Sequence, residues 1–239
     1  MGRVPVRVML GITDLDVGGA EKCLSEVACR VDPARFQLSV VSLAPRPRRD
    51  DRLVRRIADR GIPIHFLDCR TPRDLPKALI HFSKWIRYQQ PDVLQTFLFH
   101  ANLLGRIAGR LAGVPAVASA IRVAERFAKW HLWLDALTSG WVDRYVCVSN
   151  SVAEFSMKRG LLSPNKIIVI PNGIDVDLDC GRGRIARSSD KTLDGKSGNM
   201  PKMGRRVTFV GRFVPQKGID VLLESAATLL PLFPDTMLH

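Results

Sequence analysis

The sequence predicts an α/β protein with a doubly wound parallel sheet, followed by the beginning of a second Rossmann-like domain. Short apolar runs alternate with longer segments of helical spacing, which is typical of repeated strand–helix units. The apolar runs are continuous rather than alternating, as expected for strands that are covered on both faces. A stretch with almost no apolar residues, 180–206, separates this pattern from a last strand and helix.

The apolar runs predict seven strands, and most of them end at a recognisable turn signal. The first run is closed by the sequence Thr-Asp-Leu-Asp-Val-Gly-Gly, and the seventh by Pro-Asn-Gly. The predicted strands are residues 6–12, 37–43, 62–67, 93–98, 116–121, 142–148 and 166–170.

Six helices are predicted between these strands. Their ends are marked by glycine or proline, as at Gly61, Pro91 and Gly113, and the last of the six has Ser149 or Asn150 as its N-cap. The predicted helices are residues 20–31, 53–60, 75–90, 102–111, 125–139 and 149–159.

Length and charge limit the function classes. The chain has 239 residues, enough for one large domain and part of another. It carries 36 Lys and Arg against 23 Asp and Glu, a net charge of +13. This surplus favours a phosphate-bearing ligand, a nucleic acid or an anionic membrane surface as partner.

Other features argue against a membrane span, a signal peptide and a metal site. No apolar run reaches the ~18 residues that a membrane-spanning helix needs. The first apolar run is followed at once by Asp14 and Asp16, so it reads as a strand and not as a signal peptide. The five cysteines show neither a CxxC pair nor zinc spacing. We therefore expect reduced thiols, no metal and a cytoplasmic protein.

Two segments have the residue types that bind phosphate. Gly18 and Gly19 lie between a strand and a helix, where small residues let a ligand approach the free N–H groups of the helix. The alternative is simply a tight turn. Arg212 and Lys217 flank a glycine-bearing loop before the last helix, which suits a diphosphate, although solvated surface charges are the default for such residues. Asn172 and Gly173 form a turn after the seventh strand.

Together these segments, GGAE, IPNGID and VGRFVPQKGID, resemble the retaining nucleotide-sugar glycosyltransferases of family 4, the group 1 glycosyltransferases. The resemblance runs along the whole chain. It implies a GT-B fold, in which two Rossmann-like domains face each other across a cleft. The first domain mainly binds the acceptor and the second binds the nucleotide-sugar donor. Transfer in this family retains the anomeric configuration and needs no metal.

The resemblance also suggests roles for single residues. Gly18 and Gly19 resemble the loop that approaches the donor diphosphate and the acceptor. Arg212 and Lys217 resemble the pair that grips the diphosphate and offsets the charge of the leaving group. Asn172 and Gly173 resemble the interdomain turn.

The chain departs from the family in the position of its histidine. Many members have a histidine after the strand that follows a Val-Pro pair, but here Val114-Pro115 leads to a strand followed by Arg122. Some branches instead have His-Ala-Asn after the preceding strand, as here at His100. We therefore expect His100 to be the cleft histidine, with Arg122 as an acceptor- or phosphate-facing partner and Asn102 as a helix cap. A structural hydrogen bond is the alternative role for His100.

The remaining histidines and tryptophans are expected to be structural. His65, His81 and His131 fall within strand or helix patterns, which favours packing or surface positions. The tryptophans Trp130, Trp133 and Trp141 are expected in the core or at an interface rather than as a platform for a sugar.

A second departure concerns the donor domain. The family has two glutamates separated by seven residues there, whereas Glu224 is the only glutamate after Arg212 in this chain. We therefore expect an acceptor-side domain at residues 1–173, an interdomain turn and basic linker at 174–205, and a truncated donor domain at 206–239. Little or no transferase activity is expected from this chain alone.

The functional hypothesis is thus a retaining transferase that moves a sugar from a nucleotide-diphosphate sugar to a glycan, lipid-linked or small-molecule acceptor. The basic charge also suggests peripheral contact with an anionic membrane at its cytoplasmic face. The alternative is a non-catalytic module that binds an acceptor or a membrane surface. A nucleic-acid partner is not expected, because the sequence has no recognised nucleic-acid-binding motif.

Overall fold

A computed structural model describes residues 4–124, 129–173, 206–211, 213 and 217–239. The chain divides into two compact units, Met1–Val176 and Asp177–His239. The predicted linker at 174–205 lies outside the described residues. Within the described part of the chain, no helix combines the length and apolar character needed to cross a membrane.

The first unit contains one parallel sheet of seven strands, which confirms the predicted fold class. The strand order is β3-β2-β1-β4-β5-β6-β7, so the direction of winding reverses between β1 and β4. The strands are β1 Val6–Ile12, β2 Phe36–Ser42, β3 Ile64–Phe66, β4 Val93–Phe97, β5 Ala116–Ile121, β6 Arg144–Cys147 and β7 Ile167–Val169.

Six α-helices connect these strands at the predicted places. The helix that follows β6 has the predicted N-cap, because the Ser149 side chain accepts a hydrogen bond from the backbone N–H of Val152. The largest difference that can be described is the fourth helix, which begins three residues before the predicted start. The helices are α1 Gly19–Arg30, α2 Arg52–Ala58, α3 Leu75–Gln89, α4 Phe99–Ala112, α5 Lys129–Leu137 and α6 Asn150–Lys158.

The core has two layers, one on each face of the sheet. Met9 of β1 points into the layer beneath α3 and α4, where it packs with Phe82 and Leu104. Its neighbour Leu10 points to the other face and packs with Leu24 of α1 and residues of α2. Because successive strand residues face opposite layers and both layers are apolar, the strands read as continuous hydrophobic runs.

The second unit is a small strand–helix–strand arrangement. Strand β8 Arg206–Val207 pairs in parallel with β9 Met237–Leu238, and helix α7 Ile219–Leu229 lies between them in sequence. The sequence predicted the first strand, at a greater length, and the helix, but not β9, which is too short to show a period. None of the described residues of this unit is buried. One helix and two very short strands are too few to bury a face of their own.

Helix α4 packs closely on β4 at Gly105. A Cβ atom added at Gly105 would lie 2.4 Å from Cγ2 of Thr96, a fully buried residue of β4. Only glycine therefore allows α4 to approach the sheet at this point. The packing matters for function, because α4 carries His100 in its first turn.

The contact between Gly105 and Thr96 predicts how two single variants and their combination change the stability of the protein. We expect Gly105→Ala to lower the free energy of unfolding by about 1–3 kcal/mol, because the added methyl group overpacks the interface. Thr96→Ser removes the clashing methyl group and should cost about 0.5–1.5 kcal/mol by itself, as small core truncations do. Chemical denaturation of the double variant should show that it is more stable than Gly105→Ala. If the double variant instead loses the sum of the two single-variant stability losses, the contact between Gly105 and Thr96 would be contradicted.

Candidate functional site

The predicted site residues of the first unit gather at the carboxyl edge of its sheet. Ile12 at the end of β1 is paired with Phe97 at the end of β4, on the two sides of the point where the strand order reverses. Ligands of open α/β sheets bind outside the carboxyl ends of the strands at such a point. The loop after β1 leads to Gly18 and Gly19, and the turn after β4 leads to His100.

The two glycines at the start of α1 have different surroundings. Gly18 is the N-cap, with an extended backbone and no side-chain cap. The Glu21 side chain folds over it, so that a Cβ at Gly18 would lie 2.2 Å from Oε2 of Glu21. At Gly19 an added Cβ would meet nothing within 4 Å. A larger residue at Gly18 would therefore require the Glu21 side chain to move, whereas Gly19 leaves an open approach to the helix N-terminus.

Asp14 is a titratable group at the same edge that the sequence did not assign to the site. It lies two residues after the end of β1 and is half-buried. Burial raises the pKa of its carboxyl group, and the neighbouring charge of Asp16 adds to the shift, although a hydrogen bond of 3.1 Å from the Asp16 backbone N–H to Oδ1 of Asp14 opposes it. A raised carboxylate pKa is typical of functional sites, and here it depends on burial, which the sequence does not show.

The turn before α4 corrects the role expected for Asn102. Leu98 has a φ of 70°, unusual for a residue other than glycine, and this turn starts the helix at Phe99. Asn102 therefore lies inside the first turn and does not cap the helix. Its side-chain Nδ2 instead donates a hydrogen bond of 3.1 Å to the carbonyl oxygen of Ala120 in β5. Asn102 thus ties the start of α4 to the neighbouring strand.

His100 lies within a group of aromatic rings from the first turns of α4 and α5. Phe99 stacks on His131 with ring centroids 3.6 Å apart, and it meets the Trp130 ring edge-on at 5.4 Å. The His100 and His131 rings are 6.1 Å apart. The sequence placed His131 in a packing or surface role. It does pack, but it also borders His100, because two separate helices begin side by side.

The same surroundings lower the pKa of His100. Partial burial is the main cause, and the charge of His131 is the second. His100 therefore favours the neutral form near neutral pH, in which one ring nitrogen can accept a proton or hydrogen bond.

We expect His131→Gln to raise the pKa of His100 toward the ordinary value of 6.5 without restoring it fully, because burial remains. The native protein should lose stability as the pH falls below 6.5, since the unfolded chain takes up the His100 proton more readily than the folded one. An NMR titration of the His100 imidazole would measure the first effect, and chemical denaturation at several pH values would measure the second. A His100 pKa that is unchanged or lower in the variant would contradict the coupling.

Arg122 and Asn172, both predicted as site residues, are in contact. Arg122 follows β5, and its Nη2 donates a hydrogen bond to Oδ1 of Asn172 in the turn after β7. The turns that follow β5 and β7 are thereby joined at the same edge of the sheet. Gly173, the next residue, has no atom within 4 Å of an added Cβ.

Lys217 lies at the start of the last helix. It is exposed and precedes Gly218, the N-cap of α7, which has a φ of 62°. A lysine next to the N-terminus of an 11-residue helix suits an anion. Arg212, its predicted partner, lies outside the described residues.

A buried ionic group behind the site was not predicted. Arg106 of α4 is fully buried, and its Nη1 donates hydrogen bonds to Oδ1 of Asp135 at 2.6 Å and to Oγ1 of Thr138 at 2.9 Å. Its Nε donates to Oγ of Ser119 at 3.0 Å, and its guanidinium lies over the Tyr145 ring at 5.4 Å. Burial raises the pKa of this tyrosine to about 12. The group fixes α5 against α4 and the sheet. The only feature of the sequence that points to this group is the position of Arg106 among the small residues of α4, on the buried face of the helix.

The tryptophans near the site are exposed, so the alternative that placed Trp130, Trp133 and Trp141 in the core is wrong. The expectation for the other histidines is confirmed, since His65 stacks on Trp85 at 4.2 Å and His81 is exposed. Cys23, Cys29, Cys69 and Cys147 are free thiols. Among the residues that the structure describes, no group of three or more His, Cys, Asp or Glu side chains is placed to hold a metal ion.

One cavity of the first unit lies away from the predicted residues. It has a volume of about 460 Å³ and is lined by residues such as Val8, Phe36 and Pro63. These lie at the amino ends of β1 and β2 and before β3, the edge opposite to His100. The cavity therefore does not define the candidate site, which is an open edge.

The strand order and the glycine turn at the switch point define a doubly wound α/β protein, and sequence comparison names the family. The profile of Glycosyltransferase Family 4 matches residues 17–178, and the chain belongs to this family.

Two relatives of the chain are named as glycosyltransferases. The chain is 30% identical over 170 residues to UDP-Gal:alpha-D-GlcNAc-diphosphoundecaprenol alpha-1,3-galactosyltransferase of Escherichia coli, covering 67% of this chain and 43% of that protein. It is 28% identical over 160 residues to phosphatidyl-myo-inositol mannosyltransferase of Mycobacterium tuberculosis, covering 65% of this chain and 38% of that protein. The match thus spans about two fifths of each relative.

Solved structures share the fold. The Anabaena protein HepE, in complex with UDP and glucose, superposes with a TM-score of 0.70 at 16% identity, covering 98% of this chain and 60% of HepE. The lipopolysaccharide outer core galactosyltransferase WaaB, in its apo form, gives a TM-score of 0.60 at 15% identity, covering 98% of this chain and 67% of WaaB.

Proposed function

We propose that this protein transfers a sugar from a nucleotide-diphosphate sugar to a lipid-linked acceptor, with retention of the anomeric configuration. The family match across residues 17–178 is the observation that carries the proposal. The named substrates of both relatives, a diphosphoundecaprenol and a phosphatidyl-myo-inositol, contain lipid. HepE is named in complex with UDP, which supports a nucleotide donor. We place the reaction at the cytoplasmic face of a membrane.

The donor diphosphate is assigned to the second unit. Lys217 stands exposed before the N-terminus of α7, where an ammonium group and free backbone N–H groups both favour an anion. Arg212 is proposed as its partner because its position matches the family's motif. These two cations would offset the charge of the nucleoside diphosphate as it leaves, so that the reaction needs no metal. Transfer that persists in EDTA would support this part of the proposal.

The acceptor is assigned to the carboxyl edge of the first sheet. His100, neutral near pH 7, can accept a hydrogen bond from an acceptor hydroxyl group, and Arg122 can contact a phosphate there. Gly19 leaves room for a ligand at the start of α1. We still predict low turnover by this chain alone, because it lacks the glutamate pair of the family. Equal turnover by a longer version containing the glutamate pair would contradict it.

Gly19 gives the sharpest test of the site. Because the folded protein leaves open space around this residue, Gly19→Ala should keep the native stability. If a ligand approaches the backbone here, the added methyl group should overlap it and cost about 1–3 kcal/mol, or roughly five- to 150-fold in transfer efficiency. Because little turnover is expected from this chain alone, both glycine variants are to be made in the longer version that contains the glutamate pair. Labelled sugar in the lipid extract of acceptor-containing membranes would then measure the transfer.

Gly140→Ala is the matched control, because a Cβ there also meets nothing within 4 Å. Its transfer should equal that of the native protein. Equal transfer by Gly19→Ala would remove Gly19 from the site. A longer version that binds acceptor membranes but transfers no sugar from any donor would instead favour a non-catalytic binding module.

A further inference from the structure

Helix α5 and the turn after it carry an exposed apolar surface, which we call the tryptophan face. It consists of Trp130, Trp133, Leu137 and Trp141, which are 57%, 65%, 65% and 44% exposed. The first three stand at positions i, i+3 and i+7 and therefore share one side of the helix. Three tryptophans and a leucine in one exposed group need a partner to explain them.

The opposite side of α5 is firmly anchored, so this exposure does not come from a loose helix. Asp135 points inward to its ion pair with the fully buried Arg106. The Thr138 hydroxyl donates to the carbonyl oxygen of Leu134 and accepts from Arg106. With Asp135 and Thr138 turned toward Arg106, the opposite, apolar side of α5 is held toward the surroundings.

The chemistry of this surface favours a lipid bilayer. Tryptophan prefers the membrane–water interface, where its ring lies among acyl chains and its N–H reaches the polar region. The single acidic residue within α5, Asp135, faces inward, so no carboxylate of this helix opposes an anionic lipid surface. The net charge of +13 attracts the protein to such a surface over a longer range.

The tryptophan face also borders the proposed acceptor site. The Trp130 ring lies 5.4 Å from Phe99, and the Phe99 ring lies 5.4 Å from His100. A lipid-linked acceptor could thus present its head group to His100 while its lipid remains in the membrane. An enzyme that acts on a lipid-linked substrate needs its membrane-contacting surface close to the site that binds the substrate's head group.

We propose that the tryptophan face is the surface with which this protein lies on an anionic membrane, so that lipid-linked acceptors reach His100 directly from the bilayer. This inference rests on the proposed function for its acceptor. The membrane contact itself depends only on the exposed side chains of α5 and the turn after it.

Vesicle binding tests the inference. Co-sedimentation with vesicles of phosphatidylglycerol and phosphatidylcholine should be strong, and brominated lipids should quench the tryptophan fluorescence of the native protein. The double variant Trp133→Ser, Leu137→Ser should bind roughly tenfold or more weakly, because it removes much of the inserting apolar surface. Ile80→Ser, at a residue that is 56% exposed on α3, is the matched control and should bind like the native protein.

Three results would overturn the inference: no quenching of the native protein, equal binding by the double variant, or a dimer in sedimentation experiments that Trp133→Ser dissociates. The quenching measurement needs no substitution, so a variant that fails to fold does not block the test. Nucleoside-diphosphate titration without lipid tests the proposed function separately. If the protein binds vesicles through the tryptophan face but binds no nucleoside diphosphate, the membrane-docking inference stands and the proposed transferase function is rejected.

Discussion

Asp135→Ala is expected to lower the free energy of unfolding of the first unit by about 3–5 kcal/mol, the largest stability effect that we expect from a single substitution. The reason is the charge that remains. Arg106 is fully buried and Asp135 is its only carboxylate partner among the described residues, at 2.6 Å. Removing the carboxylate leaves a buried guanidinium group whose remaining partners, Ser119, Thr138 and the Tyr145 ring, carry no negative charge.

The site should respond to the same substitution. Asp135 fixes α5 against α4, and His131 lies in the first turns of α5 beside Phe99 and His100. A displaced α5 would move His131 away from His100. We therefore expect the pKa of His100 to rise toward its ordinary value in those Asp135→Ala molecules that remain folded.

Chemical denaturation with Glu154→Ala as control would test this prediction. Glu154 also pairs with a basic residue, Lys158 at 3.6 Å, but both side chains are exposed, and such a helix pair contributes only about 0.2–0.5 kcal/mol. Replacing the buried pair together, with Arg106→Met and Asp135→Leu, should restore much of the stability. A loss below about 1 kcal/mol for Asp135→Ala would mean that water reaches the guanidinium.

Lys217→Ala is expected to weaken the binding of a nucleoside diphosphate by about 1.5–3 kcal/mol, or roughly ten- to 150-fold. This is the largest effect on binding that we expect, because a charge-assisted hydrogen bond to phosphate is lost. Lys217 is exposed at the start of α7, so its removal should not change the stability of the protein. Calorimetric titration would separate the two effects.

Two further variants make this prediction specific. Lys158→Ala removes another exposed helical lysine and should leave nucleotide binding unchanged. Lys217→Arg keeps the positive charge and should recover part of the affinity. Equal weakening by Lys158→Ala would show only a general effect of net charge, and unchanged binding in Lys217→Ala would remove this residue from the donor site.

The strands were predictable because their signal is local. Residues 6–12 and 116–121 are strands with the predicted bounds, since both faces of the sheet are covered and each strand is a continuous apolar run. The start of α4 was missed because it depends on the positive φ of Leu98, a residue that gives no sign of this conformation. Asn102 was misassigned for the same reason.

The site was predictable only in part, because much of it depends on contacts between distant segments. The sequence identified Arg122 and Asn172 separately, and the fold brings them together over 50 positions. The buried pair of Arg106 with Asp135 could not be read from either helix alone. The exposed tryptophans were expected to be core or interface residues, since helical spacing shows that three residues share a face but not what covers it.

Saturable binding of a nucleotide-diphosphate sugar is the most direct test of the transferase assignment. We expect calorimetry on the native chain, with UDP- and GDP-linked sugars, to show one site for at least one donor. The matching nucleoside monophosphate should bind more weakly, and EDTA should have no effect. If the folded protein shows no saturable binding to any of these donors, or binds the monophosphate equally well, the proposed donor site and the transferase function based on it would be contradicted.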